Sequence, residues 1–111
     1  MKTIFQKIID GELPSKKVFE NERILVIHDI SPAAPVHLLI ISKKVIHDIS
    51  HAEKEDGPLL AEIMFVAAKM AKQLGVADGF RLVTNNGPSA GQTIFHLHFH
   101  LLGGEPLGPM T

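Results

Sequence analysis

The segment from residue 96 to residue 102 alternates histidine with apolar side chains, and it constrains the fold more than any other part of the chain. It reads His-Leu-His-Phe-His-Leu-Leu. In an extended strand successive side chains point to opposite faces, so His96, His98 and His100 would share one face while the leucines and Phe99 are buried on the other. Three titratable rings on one side of a rigid strand form a candidate reactive surface.

Length and charge limit the kinds of protein that this chain can be. A chain of 111 residues suits one hydrophobic core, so residues 1–111 are predicted to form a single domain. The formal net charge of −1 does not indicate a nucleic-acid-binding or polybasic membrane-binding protein. Without a signal-peptide pattern or a run of about 20 apolar residues, the chain is expected to be soluble and cytoplasmic. The absence of cysteine excludes disulfides and thiolate metal sites.

Apolar spacing predicts two helices and about five strands. A short amphipathic helix is expected over Ile4–Ile9 and a long one over Leu59–Leu74, and Ser50 with Glu53 has the spacing of a capping box that would begin a helix. The predicted strands are Val18–Glu20, Arg23–His28, Val36–Ile41, Phe80–Asn85 and the histidine strand. Because only one long helix separates strand runs, we expect an antiparallel α+β fold rather than a doubly wound parallel sheet.

The long helix carries more apolar residues than one sheet-facing side needs. One set at helical spacing would face the sheet, and a second set widens the apolar stripe: Leu60, Met64, Ala68 and Ala71. We interpret this second set as a subunit interface, so the protein is predicted to be a homodimer.

The histidine stripe is compatible with three roles when the residues are considered alone. Neutral imidazole is the commonest metal ligand, and His37 or Asp29 could complete a metal site. Alternatively, one imidazole could act as a nucleophile beside a small-residue loop, from Asn85 to Thr93, that suits an anion. A third interpretation is that the histidines lie on a half-exposed strand without a chemical role.

Three ordered motifs resemble the histidine triad family, specifically its Hint branch of nucleotide-binding proteins. They are Ile4–Ile9 with Glu12-Leu13-Pro14, Asp29–His37, and Gly91–Gly104. The similarity extends from Thr3 to about Pro109, and the order and separation of the motifs make it specific.

The resemblance implies a metal-independent enzyme without a cofactor. It would hydrolyse the P–N bond of purine nucleoside 5′-phosphoramidates and release a nucleoside monophosphate. His98 would be the nucleophile and form a nucleotidyl-histidine intermediate. His100 would bind and orient the phosphate, and His37 would hydrogen-bond to the triad, whose remaining member, His96, would be part of the network rather than a direct reactant. Thr93 would face the leaving group.

The resemblance also implies which residues bind the nucleotide. Asn85, Gly91 and Gln92 would contact the phosphate and ribose region, and Asp29 would take the ribose hydroxyls. The apolar base pocket would consist of Ile27, Ile30, Phe5 and Ile8.

Several positions depart from the usual pattern of the Hint branch. Ile27 stands where an aromatic residue is common, and Ala90 and Thr93 replace the usual glycine and serine. Threonine after Gly91-Gln92 is also similar to the dinucleoside-polyphosphate hydrolase branch, which is the alternative enzymatic prediction. A nucleotide-binding regulatory module with slow turnover is a further alternative.

Overall fold

Five antiparallel strands form one sheet in a computed structural model that describes residues 1–111. The elements are α1 (Ile4–Ile9), β1 (Lys17–Glu20), β2 (Ile24–His28), β3 (Val36–Ser42), α2 (Gly57–Gln73), β4 (Phe80–Val83) and β5 (His98–Gly103), with short 3₁₀ turns at Ile49–His51, Lys54–Asp56 and Pro88–Ala90. The order across the sheet is β1-β2-β3-β5-β4, which leaves β1 and β4 at the edges. The predicted α+β class and antiparallel pairing are confirmed.

The short helix α1 begins at a well-formed cap. The Thr3 hydroxyl accepts a hydrogen bond from the Gln6 amide at 3.2 Å, and the Gln6 side chain accepts one from the Thr3 amide at 3.4 Å. This reciprocal pair satisfies donors that a helix start leaves free. Phe5 and Ile8 point into the molecule, whereas Ile4 is exposed, and the predicted bounds are confirmed.

The alternation in β5 divides its side chains between the two faces of the sheet. Leu97, Phe99 and Leu101 join the main core beneath α2, together with Ile63 and Met70 of that helix. The opposite face carries the histidines and a smaller apolar cluster: Phe5, Ile8, Leu25, Ile27, Leu39 and Ile41. The central strand β3 contributes to both clusters, as its continuous apolar run predicts.

Three local predictions need correction. The capping box at Ser50 does not start a helix, because Asp48 caps the Ile49–His51 turn and the long helix begins only at Gly57. The strand with the histidines begins at His98, so His96 precedes it. Asn85 likewise lies beyond the end of β4.

Part of the second apolar set on α2 is exposed. Met64 and Ala68 are exposed and Phe65 between them is 76% exposed, whereas Ala71 is buried in the main core. Ala71 was predicted for the interface but belongs to the core, because it lies one turn after the buried Ala67 on the same face of α2. No helix combines the length and apolarity that a membrane span requires.

Candidate active site

A small cavity of about 180 Å³ opens on the histidine face of the sheet. Its lining comes from α1, the end of β2, β3, β5 and the loop before β5. The residues are Phe5, Asp29, Leu39, Asn85, Gly91, Thr93, Ile94, His98 and His100. The fold therefore gathers most of the predicted site residues around one space.

The His98 ring is fixed with one nitrogen turned away from solvent. Its Nδ1 lies 2.7 Å from the His96 carbonyl oxygen, which can only accept, so Nδ1 carries the proton and donates it. Phe5 packs edge-on against the ring, with centroids 4.8 Å apart. Nε2 has no partner in the protein and carries the lone pair, so the free nitrogen of His98 is its basic one.

A chain of hydrogen bonds sets the tautomers of the next two histidines. The Ala33 amide donates to His37 Nδ1 at 3.0 Å, so His37 in its neutral form carries its proton on Nε2. That nitrogen lies 2.9 Å from His100 Nδ1, which must accept. His100 is therefore protonated on Nε2. A backbone amide in the turn before β3 thus gives the cavity a hydrogen-bond donor on His100, beside the lone pair of His98.

Asp29 joins the end of β2 to this hydrogen-bond chain. One carboxylate oxygen accepts from the Ser31 amide at 2.7 Å, and the other lies 3.4 Å from His37 Nε2. Asp29 also lines a neighbouring cavity of about 400 Å³ with Lys16, His28 and Ile30. Its carboxylate therefore stands between the histidine cavity and a second, wider cavity.

His96 lies behind the site and does not line the cavity. It is fully buried, and its Nε2 donates to the Ser42 carbonyl at 2.5 Å. The lone pair of the neutral ring is then on Nδ1, so the Thr3 hydroxyl, 3.5 Å away, donates to it. Both nitrogens of His96 are therefore occupied by the scaffold, and its ring is not available to a ligand in the cavity.

Burial lowers the pKa of all three histidines of the triad. It is the main cause for His96 and His98. For His100, burial and the nearby His98 and His37 rings lower the pKa to about 4. In the free protein the triad is therefore neutral at about pH 7, which suits a nucleophile at His98 and an uncharged donor at His100.

The predicted nucleotide contacts divide into exposed and buried groups. Asn85, Gly91 and Thr93 line the cavity. Gln92 is buried and turned inward, where its amide donates to the His47 and Ile94 carbonyls and accepts from the Gly87 amide. Its side chain is therefore unavailable to a ligand, and it holds the loop in place.

The predicted base-pocket residues occupy two levels. Ile30 is 97% exposed beside the wider cavity, and Phe5 lines the smaller one. Ile27 and Ile8 lie in the apolar cluster beneath them. These two residues support the floor of the site and do not line either cavity.

Sequence reasoning missed several residues that complete the site. Leu39 and Ile94 line the smaller cavity, and Lys16 and His28 line the wider one. Leu39 could have been found, because it is two residues after His37 on one predicted strand and so lies on the same face. The Ala33 amide carries no side-chain signal at all.

Comparison with known proteins gives a consistent result. The model of the HIT domain matches residues 10–107. A HIT-like protein of Chlamydia pneumoniae is 50% identical over 98% of this chain and 99% of its own length, and an uncharacterized HIT-like protein of Synechocystis is 49% identical over 94% and 91%.

Solved structures agree with the sequence comparison. A HIT family hydrolase from Clostridium thermocellum superposes with a TM-score of 0.93 at 50% identity, covering 96% of this chain and 94% of its own. A HIT family hydrolase from Legionella pneumophila gives 0.94 at 44% identity and covers 96% of both chains. With its fold, its histidine cavity and its relatives in agreement, the chain belongs to the HIT family.

Proposed function

We propose that this protein is a nucleotide-binding hydrolase that cleaves the P–N bond of purine nucleoside 5′-phosphoramidates. The observation that carries the proposal is the fixed protonation pattern of the cavity. His98 Nδ1 donates to a backbone carbonyl, which leaves the lone pair on Nε2, and His100 is protonated on Nε2. A nucleophile and a hydrogen-bond donor therefore lie side by side, with ring centroids 5.2 Å apart.

In the first step His98 attacks the α-phosphorus. A new N–P bond forms as the bond from phosphorus to the amine breaks, and the amine leaves with a proton that we assign to the Thr93 hydroxyl, which recovers one from water. His100 donates to a phosphoryl oxygen and stabilises the charge that develops there. During the attack positive charge develops on the His98 ring, and the His96 carbonyl accepting from Nδ1 stabilises it.

In the second step water replaces the histidine. Imidazole is a good leaving group as well as a nucleophile, so the nucleotidyl-histidine divides one difficult displacement into two easier ones. Water attacks the same phosphorus, the N–P bond to His98 breaks, and the hydroxyl stays on the nucleoside monophosphate. The other proton of this water goes to Thr93 and replaces the one that Thr93 gave to the amine. His98 returns to its neutral form.

The nucleotide would lie across the two cavities. Asp29 would accept hydrogen bonds from the ribose hydroxyls, since its carboxylate lies between the cavities. The exposed side chain of Ile30 would cover the base, and Asn85 and Gly91 would border the phosphate. Apolar contacts alone discriminate poorly between purines, whereas a carboxylate paired with the ribose diol would disfavour 2′-deoxy substrates.

We also propose that the protein is a homodimer. Phe65 and Met64 form an exposed apolar surface on α2, and β4 is a sheet edge with Phe80 38% exposed. A second copy of the chain would cover these side chains and pair with the edge strand β4. Dimerisation would thus bury both the apolar surface of α2 and the open edge of the sheet.

The test compares wild-type protein and His98→Ala in single-turnover assays with an adenosine 5′-phosphoramidate. We expect the variant to lose more than about a thousandfold in rate and to form no covalent nucleotide adduct by mass spectrometry, while it still binds AMP. Exhaustive chelation should leave wild-type activity unchanged. An active His98→Ala protein would refute the assigned nucleophile, and faster turnover of a diadenosine polyphosphate would favour the alternative substrate class.

A further inference from the structure

A second group of histidines lies outside the cavity, in the segment between β3 and α2. It consists of His47, Asp48 and His51, which we call the 47/51 cluster. None of the three lines either cavity of the candidate site. The proposed hydrolysis does not use these residues, so their arrangement needs a separate explanation.

Asp48 organises the cluster from a buried position. Asp48 is 4% exposed. One of its carboxylate oxygens accepts a hydrogen bond from His47 Nδ1 at 2.9 Å, and the other accepts one from His51 Nδ1 at 2.5 Å. The Ser50 hydroxyl and the His51 amide donate to it as well. These hydrogen bonds hold the pKa of the Asp48 carboxyl below its usual range, and the bond from His51 has the largest effect. A buried anion therefore orients two imidazoles.

The two imidazoles remain open to solvent. The His47 side chain is 51% exposed and that of His51 is 62% exposed, and their ring centroids lie 4.9 Å apart. Phe95 stacks on His47 at 4.9 Å with an interplanar angle of 23°. Capping of the Ile49–His51 turn explains the bond from the His51 amide to Asp48, but it requires neither imidazole.

The ligand atoms are close enough to share one ion. One nitrogen from each ring and one carboxylate oxygen all lie within 4.8 Å of one another. Zinc binds imidazole nitrogen and carboxylate oxygen at about 2.0–2.2 Å, so a small rotation of the exposed rings brings the donors into range. Two neutral imidazoles and one carboxylate leave a site charge of +1 with Zn²⁺, and water can fill the fourth position.

We propose that the 47/51 cluster is a Zn²⁺ site, distinct from the triad and independent of the proposed hydrolysis. The ion takes the place of the two Nδ1 protons that now face Asp48. Each neutral ring then carries its single proton on Nε2, to which it has moved from Nδ1 through solvent, so neutral imidazoles release no net proton on binding. The donor set of nitrogen and oxygen suits zinc among the common divalent ions, while magnesium and calcium prefer oxygen ligands alone.

A bound ion would also stiffen the loop that precedes β5. The His47 carbonyl accepts from the Gln92 amide at 3.0 Å, and the Ser50 amide donates to Asn86 Oδ1 at 2.9 Å. These bonds and the Phe95 stack join the cluster to residues 86–95, so zinc should raise the thermal stability of the whole chain through its preference for the folded state.

The test is zinc binding to the untagged protein by calorimetry, with thermal unfolding measured in parallel. We expect one Zn²⁺ per chain, and at least a tenfold loss of affinity in His47→Gln and His51→Gln. Glutamine can still donate to Asp48 but is a poor zinc ligand, so these variants should remain folded by circular dichroism. His28→Asn is the matched control outside the cluster and should bind as wild type does.

A second control separates this site from the other group with metal-ligand spacing. Asp29, His37 and His100 also lie close together, so His100→Asn should keep the zinc site if our assignment is correct. Loss of binding in His100→Asn with retention in His51→Gln would overturn the proposal, as would the absence of saturable binding to wild type at millimolar zinc. Both results are independent of phosphoramidate turnover.

Discussion

The hydrogen-bond chain from Ala33 to His100 predicts how His37 contributes to catalysis without touching the substrate. In the native protein His37 Nε2 donates to His100 Nδ1 at 2.9 Å, and replacing His37 by leucine removes this donor. His100 can then carry its proton on Nδ1 and present a lone pair to the phosphate. His37 is therefore a positioning residue, and its loss should reduce the population of the productive tautomer.

The expected loss of rate in His37→Leu follows from leaving His100 Nδ1 without a hydrogen-bond partner. An orphaned, partly buried polar atom costs about 1–3 kcal/mol, which corresponds to a loss of about 5- to 150-fold in the rate of the chemical step. Direct removal of an oxyanion donor costs about 100- to 1000-fold in comparable enzymes, so His37→Leu should be milder than His100→Ala. The measurement is the single-turnover rate with an adenosine 5′-phosphoramidate.

Glutamine at position 37 provides the matched variant. Its amide oxygen can accept from the Ala33 amide while its NH₂ group donates to His100 Nδ1, so His37→Gln should recover most of the rate that His37→Leu loses. A purely structural role would make both variants fail through instability, which thermal unfolding would reveal. Equal rates in folded His37→Leu and wild-type protein would refute this reasoning.

Three further predictions concern pH, sugar recognition and assembly. Because burial lowers the pKa of His98 and His100, the latter to about 4, kcat/KM should stay level from about pH 7 to 6 and fall only at lower pH; a midpoint above the ordinary histidine value of about 6.5 would contradict this. The unfolded chain takes up these protons at a higher pH than the folded one, so the free energy of unfolding should decrease as the pH falls from about 6.5 to 4. Asp29→Ala should reduce the preference for ribose over 2′-deoxyribose, measured as the ratio of kcat/KM values, and an unchanged ratio would exclude the carboxylate from sugar recognition. Phe65→Glu should convert the proposed dimer to monomer in analytical ultracentrifugation, whereas an unaltered dimer would place the interface elsewhere.

Periodicity predicted the sheet and its two faces, because each face of a strand keeps the same environment along the strand. Leu97, Phe99 and Leu101 alternate in the sequence because all three pack into one core. A local pattern is therefore enough to identify this buried face. The alternation also places His96 on the side of Phe5, but it does not show that the Ser42 carbonyl and the Thr3 hydroxyl occupy its two nitrogens. Local reasoning failed at Ser50, because Asp48 two residues earlier supplied the cap.

The site was less predictable than the sheet because its specificity lies in backbone groups. The sequence marks His98 and His37 as special, but it contains no sign that the His96 carbonyl and the Ala33 amide fix their tautomers. Gln92 shows the same limit: an amide in a polar loop can face a ligand or brace the loop, and only the positions of Gly87 and His47 decide between them.

The cap of α1 connects the beginning of the chain to its catalytic strand. The Thr3 hydroxyl meets His96 across 93 positions, and Phe5 forms one wall of the cavity against His98. A helix of six residues cannot persist alone in water, so α1 depends on these distant contacts for its structure. We expect α1 to detach more readily than the sheet unfolds, and its detachment would expose His98 to bulk water. Amide exchange in α1 should then be faster than in β3, and slower exchange when AMP is bound would identify this helix as a movable wall of the site.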